Sequence, residues 1–319
     1  MMSDIVGLHH VTAISGDAQA NHDFYVKVLG QRMVKKTVNF DAPDVYHLYY
    51  ADGAGTPGTV MTFFPFPNAR RGRVGRGQVV FTHYAVPQGS LDYWAERIAA
   101  HGGKAVAKHD AFGAARLIAT DPEGLGLVFV EVAGDARAPW TGADVPAEYA
   151  VRGFEGVTLG VTGEEATAAI LTGIFGYERV GEEVSDSAEG ATRRIVRFAQ
   201  PGVAAGVVDL LIDPALPDGI EAAGTVHHVA FRVEDRAAQD RIRKAVAAQG
   251  HHVTPQIDRD YFYAIYFRTP EGILFEVATD EPGFDRDEPM ETLGEALKLP
   301  SQHEHLRPRL EETLPKLVA

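Results

Sequence analysis

Two histidine pairs and one glutamate are the residues of this chain best suited to chemistry. Gly7-Leu8-His9-His10-Val11-Thr12-Ala13 recurs, lightly altered, as Gly224-Thr225-Val226-His227-His228-Val229-Ala230. Beyond the second pair comes Thr269-Pro270-Glu271-Gly272-Ile273-Leu274-Phe275-Glu276, whose last residue lies 48 positions past His228. Each phrase sits in a short apolar run of strand character. Two imidazoles and one carboxylate make the ligand set of a two-histidine-one-carboxylate site, which covers one face of an octahedral ion and leaves cis positions open. Such a centre can hold a substrate oxygen and O2 together, so the pattern points to non-haem Fe(II) oxygenase chemistry. A lone His-His pair says little. Two pairs in repeat-equivalent positions, with a carboxylate in register, say more. An unpaired carboxylate on an apolar strand would also be costly, which favours a ligand's role for Glu276.

Side chains alternate along a strand, so one histidine of each pair faces a given side. The second members, His10 and His228, hold the same place before valine in both copies and are assigned as metal ligands together with Glu276. Alternation turns His9 and His227 to the opposite face, where they would orient neighbouring groups. Thr12, two residues past His10, should share its face.

The elements that must position these residues repeat four times. Each unit reads as a short strand, an amphipathic helix ending at glycine, and further strands. The first opens at Leu8–Ile14, has a helix over Asn21–Leu29 stopped by Gly30, and closes with Thr59–Phe64. The second opens at Val79–Val86, has the helix Leu91–Ala100 stopped at His101-Gly102-Gly103, and closes with Leu127–Val132. The third runs from Gly156–Val161 through the helix Glu165–Phe175 to Val207–Ile212. The fourth runs from His227–Val233 through Arg236–Gln249 to Ile273–Ala278. This predicts an α+β fold of four βαβββ modules, forming two domains with curved mixed sheets. The segments are 1–133 for the first pair of modules, 134–151 for an Ala-, Pro- and Gly-rich linker, 152–280 for the second pair, and 281–319 for a tail. Leu306, Leu310 and Leu314 give the tail a helical face suited to clasping the fold. Two units side by side curve an uncovered sheet face into a cup, where a ligand would sit.

Composition narrows the function further. The 319 residues are 45% apolar, enough for real cores, and carry a formal charge of −14. Nucleic-acid backbones and anionic membranes call for basic faces, so both are excluded as partners. Cysteine is absent, which leaves histidine and carboxylate as the metal ligands on offer. With no signal-like segment and no long apolar run, the chain reads as a cytoplasmic protein.

These residues carry a family resemblance. The modules, the His-Val and Pro-Glu-Gly…Phe-Glu phrases, and Phe24-Tyr25…Leu29-Gly30 resemble the glyoxalase/bleomycin-resistance/dioxygenase fold of the vicinal oxygen chelate superfamily. The chain is most similar there to the ring-cleaving dioxygenases of hydroquinones, through His9-His10-Val11-Thr12, Val34-Lys35-Lys36-Thr37, Tyr46-His47-Leu48-Tyr49, Gly55 through Thr62, His227-His228, Arg259, Tyr266 through Pro270, and Gly283-Phe284. The resemblance covers nearly the whole chain. It implies an extradiol-type dioxygenase that inserts O2 into a hydroquinone-type aromatic diol on Fe(II), with Mn(II) as a substitute ion. It places ligands in the first and fourth units and adds His9, Thr12, His227, Arg259 and Tyr266 to the substrate shell. The partners it implies are a small aromatic diol and O2, and it is compatible with a homo-oligomer.

Rival readings stay within the superfamily. A glyoxalase-type lyase or isomerase needs a fourth ligand, a glutamate on the closing strand of the first unit, where register places Thr62, or an aromatic if the alignment slips, and no glutamate lies in Thr59–Phe66. A metal-free binding protein would have no use for a complete triad. A catechol-cleaving enzyme would take ligands from the third and fourth units. His83 and Glu131 occupy matching places in the second unit and, with the third, could frame a second cup. Its third ligand would fall near Thr158, so the cup reads as a remnant without metal. Gly53-x-Gly55-x-x-Gly58 spells a dinucleotide fingerprint, but a strand follows where a helix is needed, so it is a turn. Arg70 through Arg76 reads as a solvated basic loop.

Overall fold

Aspartate caps start the helices of the first and fourth modules. The Asp17 carboxylate accepts from Ala20 N at 2.7 Å and starts helix α1 (Ala18–His22), which widens at once into a π-helical turn over Asp23–Val28. The helix therefore begins earlier than its apolar spacing predicts, at its cap, and Leu29 N–H reaches five residues back to Phe24 O. Asp235 caps α4 (Arg236–Ala248) in the same way, through Ala238 N at 2.8 Å. Helices α2 (Leu91–Ala100) and α3 (Glu165–Gly173) lie where the sequence places them.

The computed structural model describes residues 3–186 and 192–318. Each helix is followed by three strands, which completes four βαβββ modules. The first holds β1 (Ile5–Ser15), β2 (Arg32–Val38), β3 (Tyr46–Ala51) and β4 (Val60–Pro65). The second holds β5 (Gln78–Val86), β6 (Lys104–Ala111), β7 (Ala114–Thr120) and β8 (Gly126–Glu131). The third holds β9 (Gly153–Val161), β10 (Glu178–Asp186), β11 (Thr192–Ala199) and β12 (Val207–Ile212). The fourth holds β13 (Thr225–Val233), β14 (Ile257–Asp258), β15 (Phe262–Arg268) and β16 (Leu274–Pro282). They make two eight-stranded mixed sheets, ordered β14-β15-β16-β13-β1-β4-β3-β2 and β10-β11-β12-β9-β5-β8-β7-β6. The first module thus joins the fourth and the second joins the third, so each sheet draws one module from each half of the sequence.

The seam between β1 and β13 departs from regular alternation at three places, two of them at the histidine pairs. Leu8 faces Phe231 and His10 faces Ala230, so β1 spends an extra residue, His9; Thr12 faces His228 and Ala13 faces Val226, so β13 spends an extra residue, His227. The first histidine of each pair is a β-bulge, related to the other by the pseudo-symmetry of the modules. Bulges re-aim side chains beside functional sites. Here they undo the strict alternation that the sequence predicts.

The tail packs against the first module. Leu310 of α5 (Arg307–Thr313) and Leu314 are buried, Tyr46 OH donates to Pro315 O at 2.9 Å, and His303 Nε2 lies 2.8 Å from Phe40 O. Its anchor is Lys35, fully buried, with Nζ 2.6 Å from Glu288 and 2.7 Å from Asp287. The glycine-rich segment before β4 is a turn, with Ala54 N and Thr56 N donating to the Asp52 carboxylate. Gly55 has φ +73°, and a Cβ there would meet Phe284 of the tail at 2.6 Å, so glycine is required. The basic stretch Arg70–Arg76 is more structured than a solvated loop. It pairs with the segment before β13, Arg71 with Ala223, Arg73 with Ile220 and Arg76 with Asp218. Among the described residues no helix is long and apolar enough to cross a membrane.

Candidate metal centre

The first sheet brings His10 of β1, His228 of β13 and Glu276 of β16 to one point. His10 Nε2 lies 3.3 Å from His228 Nε2 and 3.5 Å from Glu276 Oε2; His228 Nε2 lies 3.0 Å from the same oxygen. Metal–ligand bonds of about 2.1 Å at right angles separate neighbouring donors by about 3 Å, so the spacing suits one face of an octahedral ion. All three side chains are buried, Glu276 completely, and neither Glu276 oxygen has a hydrogen-bond partner among the described residues. A buried carboxylate without donors is costly, and a cation at the shared point would supply what it lacks. Burial pushes the His228 imidazole down to about 4 against the pull of Glu276. At neutral pH it is uncharged, the form that ligates metal.

The bulged histidines back the two candidate ligand histidines. His9 Nδ1 lies 2.9 Å from His10 Nδ1, and His227 Nδ1 lies 2.7 Å from His228 Nδ1. If Nε2 is to ligate, the ligand's proton must sit on Nδ1 and be donated to the bulged partner, which fixes tautomer and ring angle together. The two partners differ in position. His227 borders the main cavity, whereas His9 borders a separate space of about 190 Å³ closed by the Gly55 turn and Phe284.

A cavity of about 530 Å³ opens over the triad, large enough for a substituted aromatic ring. Phe40, Phe64, Phe66 and Phe262 form much of its apolar wall, and Arg259 and Tyr266 enter from the fourth module. Arg259 Nε donates to Tyr266 OH at 3.2 Å. Burial, followed by the negative charge of Glu276, drives the Tyr266 phenol far above its ordinary value, so it stays protonated. Thr12 is buried and does not reach the cavity. Its hydroxyl bonds Thr62 Oγ1 at 2.8 Å, Thr62 bonds His47 Nε2 at 2.9 Å, and Tyr49 OH bonds His47 Nδ1 at 2.8 Å. His47 and Tyr49 line the cavity, and reasoning from the triad alone missed them. The signal was there: β3 alternates Tyr46-His47-Leu48-Tyr49, and residues 47 and 49 share a face.

Thr62 pairs with Thr12 as Glu276 pairs with Ala230, two residues past the ligand histidine in each module. A threonine therefore stands where the module's symmetry would put a fourth protein ligand. In the second sheet His83 meets Thr158 at 2.7 Å and Glu155 at 2.9 Å. Glu131 is not with them. It faces Val86, one residue out of register with the Glu276 position, and accepts from Gly89 N and Ser90 N at the start of α2. A slip of one residue flips a strand side chain to the other face. Replacing His83 with Gln is expected to leave the bound divalent metal unchanged, as measured by elemental analysis of the loaded protein; a loss of metal would place a second centre there.

Comparison with known proteins agrees with this architecture. The model of the Glyoxalase/Bleomycin resistance protein/Dioxygenase superfamily matches residues 7–129 and 154–277. The chain is 43% identical over 314 residues to a Bacillus subtilis (strain 168) protein designated ring-cleaving dioxygenase MhqO, covering 98% of this chain and 97% of that one. It is 35% identical over 317 residues to the chlorohydroquinone/hydroquinone 1,2-dioxygenase of Sphingobium indicum, covering 97% and 96%. A crystal structure described as a dioxygenase from Bacillus subtilis superposes with a TM-score of 0.92 at 43% identity, over 99% of both chains. Glyoxalase I of Zea mays shares the fold, with a TM-score of 0.61 at 15% identity over 86% of this chain and 92% of that one. Matched in both halves and similar to these relatives from end to end, the chain belongs to the glyoxalase/bleomycin resistance protein/dioxygenase superfamily.

Proposed function

We propose that this protein is an Fe(II)-dependent dioxygenase that cleaves the ring of hydroquinone-type aromatic diols, with Mn(II) accepted by the same donors. The observation that carries the reading is the three-donor face of His10, His228 and Glu276 opening onto an aromatic-walled cavity. Thr62 in the fourth-ligand position speaks against glyoxalase-type lyase or isomerase chemistry. The names of the relatives support ring cleavage of hydroquinones. In hydroquinone the hydroxyls are para, so "extradiol", a term for vicinal diols, is the wrong label for the reaction we propose.

When bound, the metal supplies a Lewis-acidic, redox-active centre with open cis positions for a substrate hydroxyl and O2. The protein's own residues do the rest. Phe40, Phe64, Phe66 and Phe262 hold the ring and exclude water. Tyr266, a neutral phenol braced by Arg259, presents a proton donor beside Glu276. His227 reaches the substrate while orienting His228. His9 and Thr12 are positioning residues: His9 acts on His10, and Thr12 acts through Thr62 on His47. His9→Phe should therefore weaken metal binding by about 10–100-fold with the fold intact, measured by competition with a chelating dye. Unchanged affinity would remove His9 from the site.

The test is O2 consumption by anaerobically Fe(II)-loaded protein with hydroquinone, methylhydroquinone and catechol in parallel. Uptake matching hydroquinone loss, above the autoxidation blank, is the expected result. No uptake with iron verifiably bound would overturn the proposal.

A further inference from the structure

The second sheet forms a cup of its own, and the proposed reaction makes no use of it. Arg116, on β7, is 4% exposed, yet its Nε and Nη2 have no hydrogen-bond partner among the described residues. The nearest carboxylates stand off. Glu155 Oε1 lies 3.5 Å from Nη2, and Asp209 Oδ2 lies 3.6 Å from Nη1. Both are engaged elsewhere: Asp209 accepts from Arg197 Nε and Nη2 at 2.8 and 2.7 Å, and Glu155 pairs with His83 Nδ1 at 2.9 Å. Glu183, a further carboxylate nearby, accepts from the Phe112 backbone N–H. The Phe112 ring packs over the Arg197 guanidinium at 4.1 Å and is approached by that of Arg116 at 5.9 Å.

The two unsatisfied N–H positions of Arg116 lie on one edge of the guanidinium. That edge takes one acceptor group in a forked pair, as the same edge of Arg197 takes the two oxygens of the Asp209 carboxylate. Arg116 borders a cavity of about 30 Å³ shared with His83, Phe112, Thr158, Arg193 and Asp209. Arg116 and Arg193 line it with one carboxylate, Asp209, which is already paired with Arg197, while Glu155 stands 3.5 Å from Arg116 Nη2. A cavity needs about 10–15 Å³ to admit one water, so this one has room for a small ion and none for an aromatic ring. Leaving a buried cation's donors unmet is costly, and a compact anion would meet both donors.

We infer that the second cup is a binding site for a small monovalent anion of chloride size, held in the fork of Arg116 beneath Phe112. The cup that the sequence presents as an emptied metal site has exchanged a cation's ligands for an anion's.

Crystals of the wild-type protein soaked in bromide, measured at the bromine absorption edge, test this without any variant. The expected result is an anomalous peak at the Nε/Nη2 edge of Arg116. In parallel, thermal melting is followed as chloride replaces gluconate, an anion too large for the cavity, at constant ionic strength. The midpoint should rise and saturate, and the rise should vanish in Arg116→Met, whose folding is checked by circular dichroism. If that variant fails to fold, the wild-type peak and titration still decide. Water in the cup despite bromide, or melting that follows ionic strength alone, overturns the inference. So does a peak without a saturable titration, which would mean occupancy at soaking concentration only.

Discussion

Glu276→Gln is expected to abolish metal retention and turnover while leaving the metal-free protein at least as stable as the wild type. The carboxylate is fully buried and, among the described residues, its oxygens have no hydrogen-bond partner, so without a cation it is a liability that the neutral amide relieves. A metal present at a hundred times its dissociation constant should stabilise the wild type by about 2.7 kcal/mol and the variant by almost nothing. Melting curves with chelator and with Fe(II) or Mn(II) separate the two effects. A variant that melts much lower than wild type in chelator would show that Glu276 serves the fold rather than an ion. His10→Ala and His228→Ala should also lose metal and activity.

The second large effect lies outside the cavity. Lys35→Met should cost about 3–5 kcal/mol of unfolding free energy, because it strands a buried carboxylate. Glu288 is 4% exposed and takes Lys35 Nζ at 2.6 Å, with support from Ala296 N at 3.2 Å. The same ammonium lies 4.8 Å from the Tyr261 ring centroid, and Tyr261 OH donates to Asp287 at 3.0 Å. Lys35 is the buried ion pair among the tail's attachments to β2, which also include Arg32 Nη2 donating to Glu291 O, Lys36 Nζ donating to Glu295 O and the backbone bridge between Lys36 and Leu297. In urea unfolding, Lys35→Met with Glu288→Leu should recover much of the loss. A single variant within about 1 kcal/mol of wild type would mean that the tail is held by its leucines instead.

The sequence made the repeats legible because each module carries its own strand and helix periodicities, and repetition let His10 and His228 vouch for each other. Glu276 followed from the turn that precedes it, and Thr62 from counting along parallel partners. Alternation served well wherever strands are regular. It failed at His9 and His227, where a bulge adds a residue that only the pairing of two strands far apart in sequence reveals. It failed again at Glu131, where an error of one residue exchanges faces. His47 and Tyr49 stayed hidden because their role depends on Thr62, a neighbour across the sheet rather than along the chain. The π-helical turn after α1 left no trace in apolar spacing, since Phe24, Tyr25, Val28 and Leu29 are buried in either kind of helix.

The joining of the first module to the fourth also has a consequence for synthesis. His10 and His228 are separated by 218 positions, so β1 must wait for the synthesis of β13 before the two can pair. At about 5–20 residues per second that wait is roughly 10–40 seconds. Meanwhile the second and third modules, whose strands pair with each other, are free to close first, and the outer pair would then fold around a finished insert. A nascent chain arrested before the fourth module would carry one histidine of the triad and no carboxylate, and so would lack the candidate metal centre. That centre would be complete only once β16 had been made.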